Sequence, residues 1–403
     1  MVLLSYNPQS TQYRFSRTHP LRPERFSLAV DLMDAWGLVG EPGPAAEAHC
    51  DGPCAVPASP LAATDADLAL VHSKAYLANV MAASAPSTFP TEFEGMGIGP
   101  GDTPAFEGMH EASALVAGAT IEAVERVVRG DFARAFAPAG GLHHAHRARA
   151  SGFCVYNDVA IAIARATRDH AGLRVAYVDI DAHHGDGVEE AFAERADVLT
   201  VSVHESGRYL FPGTGRTTDI GSGAGEGYAI NVPLPPYADG ECYRLAHDLV
   251  IAPALRRFAP DLIVAQIGAD THRADPLTHL YQSVAGFAEA VQRLLDVADE
   301  VCRGRIVLTG GGGYRPFSEV PRMWASALAL ALDRDVPEVL PESWMRVAET
   351  AARDAGEEGP RSTATFAEHL PELGGEAKAA AIQVTRFVID QVREASPLLE
   401  PSR

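Results

Sequence analysis

The chain has 403 residues, of which 47% are hydrophobic and 21% charged, and its formal net charge at pH 7 is −20. This composition is typical of a folded globular protein with one large domain or two ordinary ones, and it excludes a disordered chain. Because binding to nucleic-acid phosphates requires a basic face, the charge argues against a direct nucleic-acid partner. It favours cationic partners, although solubility alone explains it equally well.

The cysteines and the N-terminal residues bear on the compartment. The five cysteines are irregularly spaced, and the pair formed by Cys50 and Cys54 lacks the second pair of a structural zinc site. We therefore expect no disulfide framework. The first fifteen residues lack the basic and apolar regions of a signal peptide, and no run of about 18 apolar residues indicates a membrane span. We expect a cytoplasmic protein without membrane contact.

The first third of the chain predicts helices and long connections. Helical spacing of apolar residues predicts helices over residues 23–36, 65–81 and 111–128. Residues 2–5 indicate a short buried strand, and the Pro/Gly/Ala-rich residues 40–60 indicate a surface excursion. Residues 84–108 form a loop rich in proline and glycine. A loop of that length inside a compact domain is usually functional or disordered.

From Arg134 onward, strands alternate with helices. We predict strands over residues 134–137, 173–181, 198–204, 229–234, 262–268 and 305–309, and helices over residues 157–170, 188–193, 240–258 and 281–302. Continuous apolar strands are typical of a parallel sheet covered by helices on both faces, hence an α/β fold. The alternation ends near residue 334. We expect residues 335–403, with a helix over 377–392, to pack on the domain formed by residues 1–334; a separate mobile element is the alternative.

An acidic and histidine-rich stretch, VDIDAHHGDG, occupies residues 178–187. Asp181 and His183 alternate with Ala182, so in an extended segment their side chains point to the same side and can converge on one metal ion. Asp179 and Asp186 could orient imidazoles of the site by accepting hydrogen bonds from them without binding the metal themselves. Taken alone, the stretch is also compatible with an acidic turn that caps a helix.

Four unusual clusters follow predicted strands of this sheet. They occupy residues 140–144, 179–186, 268–270 and 310–314. Each alone is compatible with a cap, a tight turn or a buried histidine. Ligands of open α/β sheets bind at the carboxyl ends of the strands, so four clusters at one edge predict a functional site.

Three residues of these clusters predict a metal centre. Asp181, His183 and Asp270 supply three ligands and leave open positions for water and substrate, as a catalytic divalent site requires. Two carboxylates and one imidazole form an oxygen-rich site, which is compatible with zinc or ferrous iron.

The remaining polar residues of the clusters predict the chemistry. His143 and His144 offer a base for a water molecule and an acid for a leaving amine. Asp179 and Asp186 could hold the two imidazoles in the required tautomers. Tyr314, on a glycine-rich loop, could donate a hydrogen bond to a developing oxyanion. Together these residues predict metal-assisted hydrolysis of an amide.

The motifs carry a family resemblance from about Tyr6 to Trp324. The chain resembles the zinc-dependent histone deacetylase family in GGLHHA, SGFCVYND, YVDIDAHHGDGVEEAF, TVSVHE, FPGTG, IGADTHRADPL and LTGGGGY, in this order. It is most similar to the bacterial acetoin-utilisation branch, the AcuC proteins, in YRFSRTHPLRPERF, GDTPAFEGMHEAS and THLYQSVAGFAE.

The resemblance implies a fold, an activity and a substrate. The fold would be the three-layer αβα arginase/deacetylase fold, with a mostly parallel sheet of about eight strands and residues 1–334 as the catalytic domain. The activity would be removal of acetyl groups from lysine side chains of proteins. The likeness to AcuC implies acyl-CoA synthetases as the substrates, with regulation of acetyl-CoA synthetase as the role.

The resemblance also implies roles for individual residues. Zn²⁺, or alternatively Fe²⁺, would be bound by Asp181, His183 and Asp270. His143 and His144 would form the acid/base pair, with His144 as the main proton carrier, and Tyr314 would polarise the acetyl carbonyl. The tunnel for the lysine would be formed by Gly152, Phe153 and Phe211, with Leu277 where some relatives have methionine, Cys154 near the floor and Asp102 at the rim. Leu210 stands where relatives often have a second aromatic residue.

A structural potassium ion is a further implication. One site would involve Asp179, Asp181, His183, Ser202 and Val203, largely through backbone oxygens. A second monovalent site would involve Phe192, Arg195, Val198 and Tyr228.

Several alternatives stay open or are disfavoured. An acetylpolyamine amidohydrolase of the same superfamily is the main rival, but such relatives usually carry a longer dimerising insertion at residues 84–108. An arginase-like ureohydrolase needs ligands for two metals, and a silent acetyl-lysine reader is disfavoured because every catalytic position is filled. No phosphate-binding glycine motif is present. The sequence does not determine the oligomeric state.

Overall fold

The computed structural model describes residues 1–41, 52–85, 93 and 95–399. In this part of the chain, eight strands form one sheet: β1 (Val2–Ser5), β2 (Ala55–Ala58), β3 (Arg134–Ala137), β4 (Val175–Asp179), β5 (Val198–Glu205), β6 (Ala229–Leu234), β7 (Leu262–Gln266) and β8 (Ile306–Thr309). Their order is β2-β1-β3-β8-β7-β4-β5-β6, and every pair of neighbours is parallel. The predicted parallel α/β architecture is confirmed.

Helices flank the sheet and complete the three-layer αβα fold. The described residues form α1 (Glu24–Ala35), α2 (Asp65–Leu68), α3 (Lys74–Ala83), α4 (Met109–Val128), α5 (Asp158–Asp169), α6 (Asp186–Phe192), α7 (Gly240–Ala246), α8 (Ala252–Phe258), α9 (Val284–Cys302), α10 (Glu319–Ala331), α11 (Glu342–Ala355) and α12 (Gly375–Ala395). A π-helical turn, His247–Ile251, joins α7 to α8. One group of helices packs around α4 and α5, and a second packs around α9 and α10.

The strand sequences explain the burial of the sheet. Every residue of β3, β4, β5 and β7 is buried. Helices on both faces leave no solvated side, so β4 and β7 are apolar almost throughout. Strand β5 is the exception, because Thr200, Ser202, His204 and Glu205 are buried polar residues within it. Polar residues cluster where the strands end, and this places the chemistry at one edge of the sheet.

Several predicted elements differ from the observed ones. The helix predicted over residues 65–81 is two helices, because the Ser73 side chain accepts a hydrogen bond from the Tyr76 N–H and starts α3 anew. Within the predicted excursion over 40–60, residues 55–58 form the edge strand β2, whereas residues 42–51 lie outside the described part. Cys54 is disulfide-bonded, whereas Cys154, Cys242 and Cys302 are free; the expectation of no disulfide framework did not foresee this bond.

The C-terminal residues contact the body that carries the sheet. Trp344 of α11 donates from Nε1 to the Leu28 carbonyl at 2.8 Å, and Trp36 donates to the Val339 carbonyl at 3.1 Å. Helix α12 packs against β6 and α7. The sequence analysis missed α11. Among the residues described, none of the helices has the length and apolar character needed to cross a membrane.

Candidate active site

The carboxyl ends of β4 and β7 bring three potential metal ligands together. Asp181 and His183 follow β4, and Asp270 follows β7, the strand paired with β4. One donor atom from each residue lies within 4.8 Å of the other two, and all three residues are buried. The His183 Nδ1 atom is 2.9 Å from Asp270 Oδ2 and 3.3 Å from Asp181 Oδ1. The structure thus brings together the three residues that the sequence predicted as metal ligands.

Backbone groups hold the two carboxylates in place. The Gly312 N–H donates to Asp181 Oδ2 at 2.6 Å, and the Ala182 N–H donates to Asp270 Oδ1 at 3.0 Å. A side chain at position 268 or 312 would collide with the carboxylate of Asp181 or Asp270, respectively. Glycine at these two positions therefore lets the loops after β7 and β8 approach the cluster closely.

The charge of this cluster fits a divalent cation. Burial and the charge of Asp181 raise the pKa of Asp270 to about 6. Burial alone lowers the pKa of His183, but the hydrogen bonds to Asp181 and Asp270 outweigh it and raise this pKa well above its ordinary value. Two buried carboxylates around one imidazole attract positive charge, and their donor atoms are those that zinc or ferrous iron accepts.

His143 and His144 lie side by side next to the cluster, with ring centroids 4.0 Å apart. His143 Nδ1 is 2.8 Å from Asp179 Oδ2, and His144 Nδ1 is 2.8 Å from Asp186 Oδ1. Because a carboxylate only accepts, each Nδ1–H donates to it. In this arrangement Nε2 of each imidazole is the ring nitrogen that does not bond to Asp179 or Asp186.

The two imidazoles differ in pKa although they have the same kind of partner. Burial lowers the pKa of His143, but the charges of Asp179 and Asp181 outweigh it and raise the pKa to about 9. Burial, followed by the charge of His143, lowers the pKa of His144 to about 3 in spite of Asp186. The environments of the two imidazoles therefore shift their pKa values in opposite directions.

The loop that carries these histidines is fixed by the start of α5. The buried Asp158 carboxylate accepts from the Leu142 N–H at 2.7 Å, and the Asn157 side-chain NH₂ donates to the carbonyls of His143 and Ala145 at 3.2 and 3.0 Å. The sequence analysis missed this role. Its signal was the Asn-Asp pair that ends the SGFCVYND motif at a predicted helix start.

Tyr314 follows the glycine run after β8 and is partly buried. Its backbone N–H donates to Asp275 Oδ2 at 2.8 Å, and its ring centroid lies 5.7 Å from that of Phe153 and 6.5 Å from that of His183. Burial and the charge of Asp270 raise the pKa of the Tyr314 hydroxyl well above its ordinary value. The hydroxyl therefore keeps its proton and is available as a hydrogen-bond donor beside the cluster.

Two aromatic residues stand over the cluster. The Phe211 ring is 44% exposed and its centroid lies 5.0 Å from that of His144. Phe153 is partly buried and has a positive φ of 67°. Gly152 also has a positive φ, and a side chain there would collide with the rings of His144 and Phe211. The passage above His144 is therefore narrow and walled by aromatic rings.

The other residues predicted at the tunnel lie at different depths. Asp102 is exposed, and its Oδ2 accepts from the Gly152 N–H at 2.8 Å. Cys154 is buried, and Leu277 is partly buried in the segment between β7 and α9. Leu210 is also buried, so it packs inward instead of lining the rim.

Comparison with known proteins agrees with this geometry. Residues 19–331 match the family described as the histone deacetylase domain. The chain belongs to the histone deacetylase family. It is 38% identical over 340 residues to the acetoin utilization protein AcuC of Bacillus subtilis (strain 168), with 84% of each chain covered. It is 35% identical over 341 residues to AcuC of Staphylococcus xylosus, with 84% of this chain and 85% of that protein covered.

Solved structures give the same assignment. A crystal structure of an HDAC homolog from Aquifex aeolicus aligns with a TM-score of 0.82 at 30% identity and covers 97% of this chain and 99% of that chain. An HDAC homolog complexed with SAHA aligns with a TM-score of 0.80, at the same identity and coverage. The predicted family and the arginase/deacetylase fold are confirmed, and the chain is an AcuC-like deacetylase by homology.

Further buried groups support the site of this family member, and the sequence analysis did not find them. Arg25 donates to the Gly313 carbonyl at 3.1 Å and holds the backbone next to the tyrosine of the glycine run. The Tyr177 hydroxyl donates to Asp179 Oδ2 at 2.5 Å and lies 3.0 Å from the Gln266 side-chain amide. Arg25 and Gln266 come from distant parts of the chain and leave no local pattern, whereas Tyr177 is two residues from Asp179 on β4.

The two sets of residues predicted for monovalent cations lie at different places along the strands. Asp179 pairs with Ser202 across β4 and β5, and Val203 follows in β5. The second set lies at the end of α6, the start of β5 and just before β6, and comprises Phe192, Arg195, Val198 and Tyr228. Both monovalent sites stay predictions.

Proposed function

We propose that this protein is a metal-dependent lysine deacetylase that hydrolyses the acetyl amide of Nε-acetyl-lysine in proteins. The observation that carries the proposal is the buried Asp181, His183 and Asp270 cluster beside two histidines that each have their own carboxylate. Family membership supplies the deacetylase class. The substrate, the metal and the residue roles below belong to the proposal.

Asp181, His183 and Asp270 would hold the divalent cation, Zn²⁺ or alternatively Fe²⁺. When bound, such a cation supplies Lewis-acid polarisation of a carbonyl oxygen and lowers the pKa of a water molecule. Three protein ligands leave coordination positions for these two oxygens. A potassium ion near Ser202 is proposed as a structural cofactor.

His144 is proposed as the main proton carrier. Its neutral Nε2 accepts a proton from the attacking water, while its Nδ1–H stays bonded to Asp186. The same nitrogen then donates the proton to the leaving lysine amine, which departs neutral. His143, kept positive by Asp179, stabilises the negative charge that develops on the acetyl carbon's oxygens.

Tyr314 is proposed as the hydrogen-bond donor to the oxyanion. A donor whose bond strengthens as charge develops acts mainly in the transition state. Phe153 and Phe211 would line the lysine stem and exclude water, which strengthens the electrostatic interactions at the reacting centre. Asp102 at the rim would contact the substrate main chain.

The likeness to AcuC supports acyl-CoA synthetases, including acetyl-CoA synthetase, as the physiological substrates. We also propose that residues 1–334 form the catalytic domain, that residues 335–403 pack on it, and that the enzyme acts in the cytoplasm. A panel of acetyl-lysine peptides, acetylated proteins and acetylpolyamines, assayed with protein reconstituted with Zn²⁺ or Fe²⁺, tests these assignments. A kcat/KM that is highest for acetylpolyamines would overturn the protein-substrate assignment.

A further inference from the structure

A groove lies between the loop after β5 and the C-terminal helix α12, outside the site described above. Its volume is about 610 Å³, and its walls come from residues 206–218 on one side and from α12 on the other. Three large apolar side chains along it face solvent: Tyr209 is 59% exposed, Val384 is 44% exposed and Phe387 is 62% exposed. Apolar side chains that are exposed together on one surface indicate an interaction site.

The charge of the groove is opposite to that of the whole chain. Two arginines, Arg208 and Arg216, line it, and no aspartate or glutamate is found among its described lining residues. Neither guanidinium forms an ion pair with another described residue; the nearby Asp219 carboxylate accepts from the Arg216 backbone N–H at 2.8 Å. In a chain whose net charge is −20, two arginines without an ion-pair partner among the described residues make this apolar surface locally favourable for anionic groups.

The groove adjoins the mouth of the tunnel. Tyr209 and Gly213 line the groove, and Phe211, two residues from each, stands over His144. Two peptide steps span at most roughly 7.6 Å between Cα atoms. An extended peptide advances roughly 3.3 Å per residue, so a residue two to four positions from an inserted lysine reaches the groove.

We propose that this groove binds the segment of a protein substrate that flanks the acetyl-lysine, and that it selects segments carrying acidic and apolar side chains. The inference rests on the proposed deacetylase function and adds a determinant of its substrate class. The arginines pair with carboxylates of the segment, while Phe387, Val384 and Tyr209 pack against its apolar residues. A polyamine has neither group, and its positive charges are repelled by the arginines.

The test compares three acetyl-lysine peptides of equal length whose flanks contain Glu and Phe, Gln and Phe, or Lys and Phe. A fourth substrate, a short acetyl-lysine amide, reaches only the tunnel. The variants are Arg208→Glu with Arg216→Glu, and Phe387→Ser. Their matched controls are Arg346→Glu with Arg353→Glu, and Val347→Ser, at exposed positions of α11.

For the wild type and both controls we expect kcat/KM to be highest with the Glu flank and lowest with the Lys flank. The double arginine variant lowers kcat/KM for the Glu-flank peptide about fivefold to tenfold, a modest loss because exposed ion pairs are individually weak. It raises kcat/KM for the Lys-flank peptide, because the repulsion between the arginines and the lysines is removed. The change lies in KM and not in kcat, as expected for binding that is equal in the ground and transition states. Activity on the short amide stays within about twofold, which shows that the variants are folded.

Two results separate this inference from the proposed function. If the wild type hydrolyses the short amide but shows no flank preference, or if the control variants lose the preference as the groove variants do, the groove is not a substrate site. If no acetyl-lysine substrate is hydrolysed, the proposed function is wrong. Peptide binding measured by fluorescence anisotropy then tests the groove independently of catalysis. Equal affinity for the Glu-flank and Lys-flank peptides overturns the proposal that the groove selects acidic segments.

Discussion

The floor and the rim of the candidate site are built in opposite ways. On the floor, Asp181, His183 and Asp270 are buried and each bonds to at least one other group. At the rim, Asp102 and Phe211 are exposed. Buried and fixed groups need little rearrangement during the reaction, so little free energy is spent on reorganising them. Exposed groups can adapt to different partners. This contrast indicates that the floor sets the chemistry and the rim sets the choice of substrate.

The largest expected effect concerns the three ligands. Asp181→Ala, His183→Ala or Asp270→Ala should each remove the bound divalent ion and reduce activity on every substrate to background, since removing one donor leaves two. Elemental analysis and an acetyl-lysine assay measure both losses. His184→Asn is the matched control, because His184 is adjacent in sequence but bonds to Thr214 at 2.8 Å. Stoichiometric metal in all three alanine variants would contradict the assignment.

The next effect concerns the donor to the oxyanion. Tyr314→Phe keeps the ring and its packing but removes the hydroxyl, and loss of one oxyanion donor typically lowers kcat about 10²–10³-fold. The Kd for an acetyl-lysine peptide should change much less. Tyr281→Phe, which removes a hydroxyl bonded to the Pro371 carbonyl, should leave kcat unchanged. A kcat for Tyr314→Phe within about threefold of wild type, well below an oxyanion-hole effect, would show that the hydroxyl takes no part in the reaction.

The floor was more predictable from the sequence than its supports. Asp181 and His183 sit two residues apart after a strand, and Asp270 follows another strand. The alternation of side chains and the shared edge of a parallel sheet therefore bring them together. Gln266 lies beside Asp179 only because β7 pairs with β4, and no local pattern specifies that neighbour. Tyr177, two residues before Asp179 on β4, lies on the same face of the strand and follows from the same alternation.

Local rules also failed where tertiary contacts decided the outcome. Residues 65–81 have helical spacing throughout, but the Ser73 backbone N–H donates to the Arg147 carbonyl at 2.8 Å and its side chain caps α3. This long-range bond favours a break that periodicity cannot indicate. Strand β2 was missed because Pro57 reads as a loop residue, and it is tolerated because β2 is an edge strand.

A third effect concerns the support of the floor and depends on pH. The buried His72 donates from Nδ1 to the His146 carbonyl at 2.9 Å and accepts at Nε2 from the Asn157 N–H at 3.0 Å. Both bonds require the neutral imidazole. Burial lowers the pKa of His72 to about 4, below the value of about 6.5 in an unfolded chain. Its contribution is therefore complete above pH 6.5 and is lost as the pH falls toward 4, by about 3 kcal/mol at most.

Urea unfolding at pH 5 and pH 7.5 measures this loss. His72→Gln should be less stable than the wild type at pH 7.5, but its free energy of unfolding should fall less between the two pH values, because it lacks the titrating group. His170→Gln, at a partly exposed histidine, is the control and should keep the wild-type pH dependence. An unchanged pH dependence in His72→Gln would assign the acid sensitivity to other groups.

The smallest effect, at the rim, separates a positioning role from substrate binding. The Asp102 carboxylate accepts from the Gly152 N–H at 2.8 Å, so Asp102→Ala removes both a possible contact to substrate and a support of the tunnel wall. Asp102→Asn keeps an oxygen acceptor for Gly152 but loses the charge. If Asp102 binds the substrate main chain, both variants should lower kcat/KM for peptides about 10–100-fold, as for a lost charge-assisted bond. Both substitutions should then lower kcat/KM less for small acetylated amines than for peptides.

If Asp102 only positions Gly152, a different pattern is expected. Asp102→Ala would then impair peptides and small amines equally, because the narrow passage over His144 serves both, and Asp102→Asn would restore most of the activity on both. Measuring kcat/KM for the two variants on the two substrate types distinguishes these outcomes without reference to the floor. If kcat/KM falls equally on both substrate types in both variants, Asp102 takes part in the chemistry as the buried floor residues do. The division between a floor that sets the chemistry and a rim that sets the choice of substrate would then be wrong.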